Sequence, residues 1–518
     1  AEEIVLVGGR YKISEDKYKD IKIYTYFFPE DENLSAGYIE SVKNYLKLYD
    51  GLIGRYPFGQ FSVVSNFLPT GYGFPTFTLL GQEVLRLPFI KDTSLGHEIL
   101  HNWFGNSIYV DYESGNWCEG LTTYLADHYY KELKGEGVNY RKEMLRGYAS
   151  YINEGNDFPL KDFKSRTETF TRAVGYNKSA FVFHMLRVEM GEEKFFTAIK
   201  EVIKRQSFKI TSWKDIQRIF EDVKGESLDR FFKQWIEDKG APFLRVKDQG
   251  VRGKDTDGAY ITSFKIIQEG RPTTPFSPPS EGGERGGFPY ILNVPIEIKT
   301  EKETIKKPVG VKDKEESIEI KTSSRPLVLS IDPDADIFRL LHKEEIPATI
   351  SRVMGGKNRI IVLPTGGNKE IINAYGEIAG VFSEGKSPPI MKKDSDLTVE
   401  DIKNNSLYIF GGLKENKILE KLIDRLPDSS SITTDEITIN NRAYRDKGDF
   451  TVLTIPNKFN SDKAVMIIIG FSPDGIRAAG GKLVHYGKYS FLAFKDGKNV
   501  DKGIWETKES PLIVKFDE

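Results

Sequence analysis

The hydrophobic periodicity of this chain changes twice along its length, and that sets a lower bound on the number of separate cores. From Thr93 to about Gly240, helical patterns dominate, including EKFFTAIKEVIKR and WKDIQRIFEDV. Between Leu244 and Leu341 the pattern becomes strand-like, with YILNVPIEI, ESIEIKT and RPLVLSI, which predicts an antiparallel β domain. After Arg359 the strand runs RIIVLP, SLYIFGG, FTVLTI and AVMIIIGF interleave with the helix patterns NKEIINAYGEIAGVF, NKILEKLIDRL and PDGIRAAGGKLVHY. Such alternation predicts an α/β domain. Ahead of all three, IKIYTYFF and FSVVSNFL read as strands, and the intervening segment as a helix with Tyr38, Val42, Tyr45, Leu46 and Tyr49 near one face. At 518 residues the chain is too long for one core in any case.

The expected architecture is therefore multidomain α+β. Residues 1–20 read as the end of a preceding β domain or a linker, 21–240 as a mostly helical domain, 241–348 as a β-sandwich and 349–518 as an α/β domain of unknown role. The Pro-, Gly- and Ser-rich stretch 270–288 reads as a mobile connection, and TEKETIKK near Thr300 as a solvated strand edge or hairpin.

Composition excludes several functions. With 74 basic against 76 acidic side chains, no nucleic acid or other polyanionic partner is implied. The longest strongly apolar run, AVMIIIGF, falls far short of the roughly 18 residues of a membrane span. One cysteine excludes an internal disulfide framework. The amino terminus lacks a charged-then-apolar leader and does not begin with Met, so it reads as a processed product or a fragment. The compartment stays unassigned, with a periplasmic or other extracytoplasmic setting slightly preferred to the cytoplasm.

The chemistry concentrates in HEILHNWFGN, residues 97–106, which holds two of the six histidines four positions apart. On a helix His97 and His101 share a face and can reach one ion, with Glu98 beside it as a base for a metal-bound water. Taken alone the pattern also fits two satisfied histidines on a helix. A third ligand decides. Downstream, NWCEGLTTYLADHYY reads as a second helix with Glu119 in its first turn, where an acid also complements the helix dipole. Two histidines and a carboxylate from a following helix leave a fourth position for water. Glu119 is preferred over Asp111, Glu113 and Asp127 as that ligand, and Cys118 reads as a packed neighbour, since adjacent helical residues point about 100° apart. In the last domain, the turns GGLKEN and GFSPDG spell neither G-x-G-x-x-G nor a P-loop and read as plain strand-to-helix turns.

Together, HEILHNWFGN and NWCEGLTTYLAD resemble the metal centre of the gluzincin aminopeptidases, the aminopeptidase N family. Further similarity lies in residues 21–58, in VGYNKSAFVFHML (residues 174–186) and in FFKQWIEDKGAPFLRV (residues 231–246), so it covers about residues 20–345. The resemblance implies a thermolysin-like catalytic domain followed by a β-sandwich. It also implies one Zn²⁺ on His97, His101 and Glu119, Glu98 as general base, and Tyr176 as the hydroxyl that stabilises the oxyanion. Asn106 and Trp103 are read as supporting packing.

Three departures stand out. The spacing from His101 to Glu119 is one residue shorter than the family's, which places a shortened loop near residues 113–116. Ser179 stands where the family has a glycine. Where the family carries Gly-x-Met-Glu-Asn, whose glutamate captures the substrate's α-ammonium, this chain reads GYGFP, residues 71–75, without a carboxylate. Gly71, Tyr72 and Gly73 are still expected to bind substrate through their backbone, with weak discrimination between a free and an acetylated N-terminus unless another acid, Glu83 or Glu113 first, replaces the missing one. The expected function is a zinc metallopeptidase acting on peptide or protein substrates. The alternatives are an endopeptidase or other zinc hydrolase with no free N-terminus requirement, and, from another class, a catalytically silent scaffold. A contact with an absent amino-terminal β domain is also implied.

Overall fold

The computed structural model describes residues 5–68, 71–253, 258–269, 289–383, 387–507 and 509–516. The proline-rich stretch 270–288 lies outside the described residues, as does the mobility expected of it.

The first sheet has five strands, β1 (Lys12–Tyr18), β2 (Ile21–Phe27), β3 (Gln60–Asn66), β4 (Gly71–Phe74) and β5 (Phe77–Gly81), in the order β1-β2-β3-β5-β4. Strands β2, β3 and β5 run parallel, while β1 and β4 are antiparallel edges. Ile21, Ile23, Thr25 and Phe27 are buried in alternation along β2, the period-2 pattern of a strand with one covered face. The cover is the helix Ser35–Leu52, which buries Tyr38, Val42, Leu46 and Tyr49 at helical spacing. Residues 12–18, expected to end a preceding β domain or a linker, pair along their whole length with β2.

Helices then follow to residue 237, packed around the buried side chains of Trp103, Trp117, Tyr124, Phe181, Phe183 and Trp235. Three of the helical segments, Tyr124–His128, Ala173–Lys178 and Lys233–Glu237, are π-helical turns. Beyond them come two antiparallel sheets. One joins Phe243–Arg252, Tyr260–Glu269 and Glu315–Thr322; the other joins Leu292–Thr300, Thr304–Val311 and Pro326–Ile331. The second sheet takes its fourth strand, Ile513–Lys515, from the other end of the chain. The charged stretch near Thr300 is a hairpin, closed by Thr300 N–H donating to the Glu303 carbonyl at 2.8 Å.

The last sheet has seven strands. Ile390–Lys393, Arg359–Leu363, Ser406–Phe410 and Ala464–Gly470 run parallel, and Asp449–Pro456, Phe491–Lys495 and Lys498–Gly503 complete it antiparallel. The central strands are buried at every position, as strands covered on both faces must be. Two predicted helices come out shorter here. NKILEKLIDRL forms two single 3-10 turns, Leu419–Lys421 and Ile423–Arg425, because Ile418, Leu419 and Leu422 all insert into the core and the chain bends to let them. PDGIRAAGGKLVHY is α-helical over Pro473–Gly480, breaks at its Gly-Gly pair and resumes as a 3-10 turn, Leu483–Tyr486. In the GGLKEN turn the Glu415 carboxylate already accepts the Gly412 N–H at 2.8 Å, so the turn is filled from within the chain.

Candidate metal centre

The motif helix Ser94–Leu100 carries His97 and Glu98, and His101 caps its C-terminal end with helical dihedrals. Leu95, Ile99 and Leu100 fill the core beneath, leaving the two histidines on the open side. Their rings sit 4.9 Å apart. Glu119 arrives from the first turn of the helix Cys118–Thr123. The shortened loop that delivers it passes through Gly115, at φ 104°, where a Cβ would lie 2.6 Å from the Leu160 carbonyl; only glycine allows so close a passage. Asn116 then fixes the helix start, its Oδ1 accepting the Cys118 N–H at 3.0 Å.

His97 Nε2 and His101 Nε2 stand 3.7 and 3.6 Å from the same Glu119 oxygen. Two donors at zinc-ligand distance from one tetrahedral ion stand roughly 3.3 Å apart, so the three atoms fit a shared cation. The other ring nitrogens are already engaged. His97 Nδ1 pairs with Asp127 Oδ2 at 2.9 Å, and His101 Nδ1 donates to the Phe104 carbonyl at 3.1 Å. Those bonds engage Nδ1 of both rings and turn both Nε2 atoms toward Glu119, the orientation in which Nε2, once deprotonated, can ligate a metal. Among the described residues, His97, His101 and Glu119 are the group whose ligand atoms converge in this way, all within 4.8 Å of one another.

The electrostatics agree. Burial disfavours a charged His97, but Asp127, Glu119 and Glu98 outweigh it and raise the proton affinity well above the usual histidine value. For Glu119 burial works the other way, and His97, His101 and the Tyr176 hydroxyl together hold its carboxyl below the usual range. This is a place built for positive charge. Tyr176, on the π turn Ala173–Lys178, stands near Glu119, and burial followed by that carboxylate raises its phenol. Its ring packs edge-on against Phe163 at 6.1 Å.

Edge strand β4 passes over the base. A Cβ on Gly73 would lie 2.8 Å from Glu98 Oε2 and 3.7 Å from His101 Cβ, so the missing side chain is what lets backbone and carboxylate approach. Gly71 and Tyr72 are exposed on the same strand. Glu83 is exposed in the first turn of Gln82–Leu85, and Glu113 is exposed on the turn after Asp111. Asp111 closes that turn, with Oδ1 accepting the Glu113 N–H at 3.1 Å.

Cys118 is a neighbour of the centre, as the adjacent-residue argument expects. Its thiol donates to the Phe104 carbonyl at 3.0 Å and lies 3.3 Å from His101 Nδ1, the nitrogen away from Glu119, and burial pushes its pKa well up. Ser179 is received by Gly120, where a Cβ would meet its Oγ at 1.9 Å. Trp103 is buried and donates to the Arg55 carbonyl at 3.1 Å. Asn106 Nδ2 is buried without a partner among the described residues.

Sequence reasoning missed two supporting residues. Asp127 was weighed only as a ligand, yet it orients His97 from behind; both it and Tyr176 sit on π turns, a local widening that a 3.6-residue period does not reveal. Asn102 was passed over. Its Oδ1 accepts from Tyr56 Oη at 3.1 Å and from the Thr76 N–H at 2.8 Å, tying the β4–β5 turn to the end of the motif helix. Farther back, Arg141 and His184 converge on Asp336 at 3.1 and 3.0 Å, and His184 also meets Tyr124, joining the helices behind the site to the β region.

The comparisons with known proteins cover the segment that holds this centre. Residues 92–235 match the model of the peptidase family M1 domain. Aminopeptidase N of Streptomyces lividans is 27% identical over 195 residues, 35% of this chain and 22% of that protein. Aminopeptidase 2, mitochondrial, of Saccharomyces cerevisiae is 21% identical over 284 residues, 51% of this chain and 30% of that protein. The tricorn protease-interacting factor F2 of Thermoplasma volcanium is 22% identical over 271 residues, 47% of this chain and 33% of that protein. Among solved structures, Legionella pneumophila aminopeptidase A in complex with aspartic acid has a similar fold. Its TM-score is 0.50 at 17% identity, covering 76% of this chain and 44% of that one. The aligned regions span only 19% to 33% of the curated relatives' lengths. At residues 92–235, the chain is thus similar to the peptidase family M1 domain.

Proposed function

We propose that the chain is a zinc-dependent metallopeptidase of aminopeptidase N type, hydrolysing peptide bonds at the His97, His101 and Glu119 centre. The observation that carries this reading is the pair of Nε2 atoms facing one Glu119 oxygen, with Glu98 beside them under an open strand edge. A bound zinc would supply Lewis acidity and lower the pKa of its water toward about 7. Glu98 would take the proton of the attacking water and hand it to the leaving amine. Tyr176, whose phenol stays protonated, would turn its hydroxyl from Glu119 to the developing oxyanion. The free edge of β4 offers Gly71, Tyr72 and Gly73 as backbone partners for an extended peptide, which would lie across Glu98.

A second reading, hydrolysis without a strict requirement for a free N-terminus, rests on one feature. The segment 71–75 has no carboxylate to pair with a substrate ammonium. A peptide library with free and acetylated N-termini, digested after zinc loading, tests both. Cleavage confined to free N-termini supports an aminopeptidase, cleavage of both supports the second reading, and a zinc-loaded but inert protein supports a scaffold.

A further inference from the structure

Two arginines, Arg166 and Arg172, flank Tyr176 without a counter-ion among the described residues. Arg172 ends the short helix Thr169–Arg172 and stands one turn ahead of Tyr176, so the two share a helix side. Arg166 lies on the strap that precedes that helix. Phe163 of the strap packs on Tyr176, and the strap is pinned beside the glutamate helix. Asn116 N–H donates to the Phe163 carbonyl at 2.7 Å, and Asn116 Nδ2 to the Lys164 carbonyl at 3.0 Å. Both arginines are exposed, and neither guanidinium has a hydrogen bond or ion pair among the described residues. The neighbouring charged groups are otherwise engaged. Glu168 belongs to the capping box of Thr169–Arg172, and Lys164 Nζ donates to the carbonyls of Tyr112 and Glu113.

The field of the pair reaches the reacting centre. Partial desolvation, then Arg172, lowers the proton affinity of Arg166, while Tyr176 and Glu119 act in the opposite sense. Both arginines in turn pull on the Tyr176 phenol. A guanidinium stays charged under this pressure. Glu119, the carboxylate whose field reaches Arg166, faces the two histidines. Two like charges held near each other and open to solvent form a ready receptor for an external carboxylate, which guanidinium groups bind through paired N–H donors.

We propose that Arg166 and Arg172 form a carboxylate-binding subsite, so that this centre selects peptides carrying an anionic group, either the C-terminal carboxylate of a short peptide or an acidic side chain. The inference rests on the peptidase reading above. It supplies an anchor at the anionic part of a substrate whose ammonium finds no carboxylate in residues 71–75.

The test uses one short peptide in three forms: free C-terminus, C-terminal amide, and amide with an internal Asn replaced by Asp. Values of kcat/KM are measured on the zinc-loaded protein, on the double variant Arg166→Gln/Arg172→Gln, and on the double variant with Lys at both positions. Zinc content is checked throughout. The free acid or the Asp form is expected to exceed the neutral amide by roughly tenfold to a hundredfold, as charge-assisted hydrogen bonds give. The Gln pair should abolish that ratio and the Lys pair should keep part of it, at equal zinc. Which of the two anionic forms is preferred identifies the source of the carboxylate. No preference in the wild-type protein, or a preference that survives the Gln pair, overturns the proposal.

Binding of the same peptides to zinc-loaded Glu98→Gln, followed by calorimetry, separates this inference from the peptidase reading. Carboxylate-dependent binding that the Gln pair removes, together with a zinc-loaded wild-type protein that cleaves none of the peptides, supports the subsite and defeats the peptidase. Cleavage together with binding that ignores the carboxylate does the reverse.

Discussion

Asp127 Oδ2 lies 2.9 Å from His97 Nδ1, on the side of the ring opposite Glu119. The carboxylate fixes ring orientation and tautomer and makes Nε2 more basic, so its effect on the metal is indirect. Asp127→Ala should weaken zinc retention by about tenfold to a hundredfold while the fold persists. Competition with a chelator of known affinity measures it, and unchanged retention would show that packing alone holds His97.

Gly73→Ala adds a methyl group 2.8 Å from Glu98 Oε2. Either β4 or the base must move, and misplacing a base by a fraction of an ångström is felt mainly in kcat. We expect a drop of about tenfold or more with little loss of zinc. The half-buried position on an edge strand predicts a small change in Tm. An unaltered kcat would mean that the strand lifts freely and does not set the position of Glu98.

Cys118→Ser should keep zinc and most activity, with a stability cost of about 1 kcal/mol. The thiol bonds the Phe104 carbonyl and meets His101 on its Nδ1 side, so a hydroxyl can take its place. Zinc lost from the serine variant would place the sulfur among the ligands.

The buried Arg339 joins Asp332 and Glu345 at 2.8 Å each, in the segment that leaves the β region. Burial would raise the Glu345 carboxyl, but Arg339 prevails and holds it down to about 2, against an ordinary value of 4.5. A carboxyl lowered by folding stabilises the protein above its unfolded value and loses that contribution as pH falls from about 4.5 to about 2. Glu345→Gln should therefore lower the neutral-pH stability by about 3 kcal/mol and flatten its fall over that window. Denaturant midpoints read at a series of pH values in the two proteins decide the point; parallel curves would contradict it.

Much of the centre was legible because its residues are close in sequence. His97 and His101 share a helix face by spacing alone, and EGLTTYLA carried the register to Glu119 across a loop one residue short. Gly115 explains how so short a loop can pass Leu160. Asp127 was not legible as an orienting group, since it reaches His97 from a π turn thirty positions away. Nor was Gly73, whose meaning lies in what a side chain would strike. In the fold, alternation exposed β2 and the parallel core strands, but nothing in the sequence of Ile513–Lys515 says that it pairs with Pro326–Ile331. Local pattern reports which face is buried, and such distant pairing depends on where the chain returns.

The most direct test of the account measures zinc content and peptide hydrolysis on the same preparations of wild type, Glu98→Gln and Glu119→Ala. The account predicts about one zinc per wild-type chain, together with hydrolysis. Glu98→Gln should keep its zinc and lose roughly 10²-fold to 10⁴-fold in rate, and Glu119→Ala should lose zinc and hydrolysis together. Full zinc in Glu119→Ala, or wild-type hydrolysis by Glu98→Gln, would contradict it.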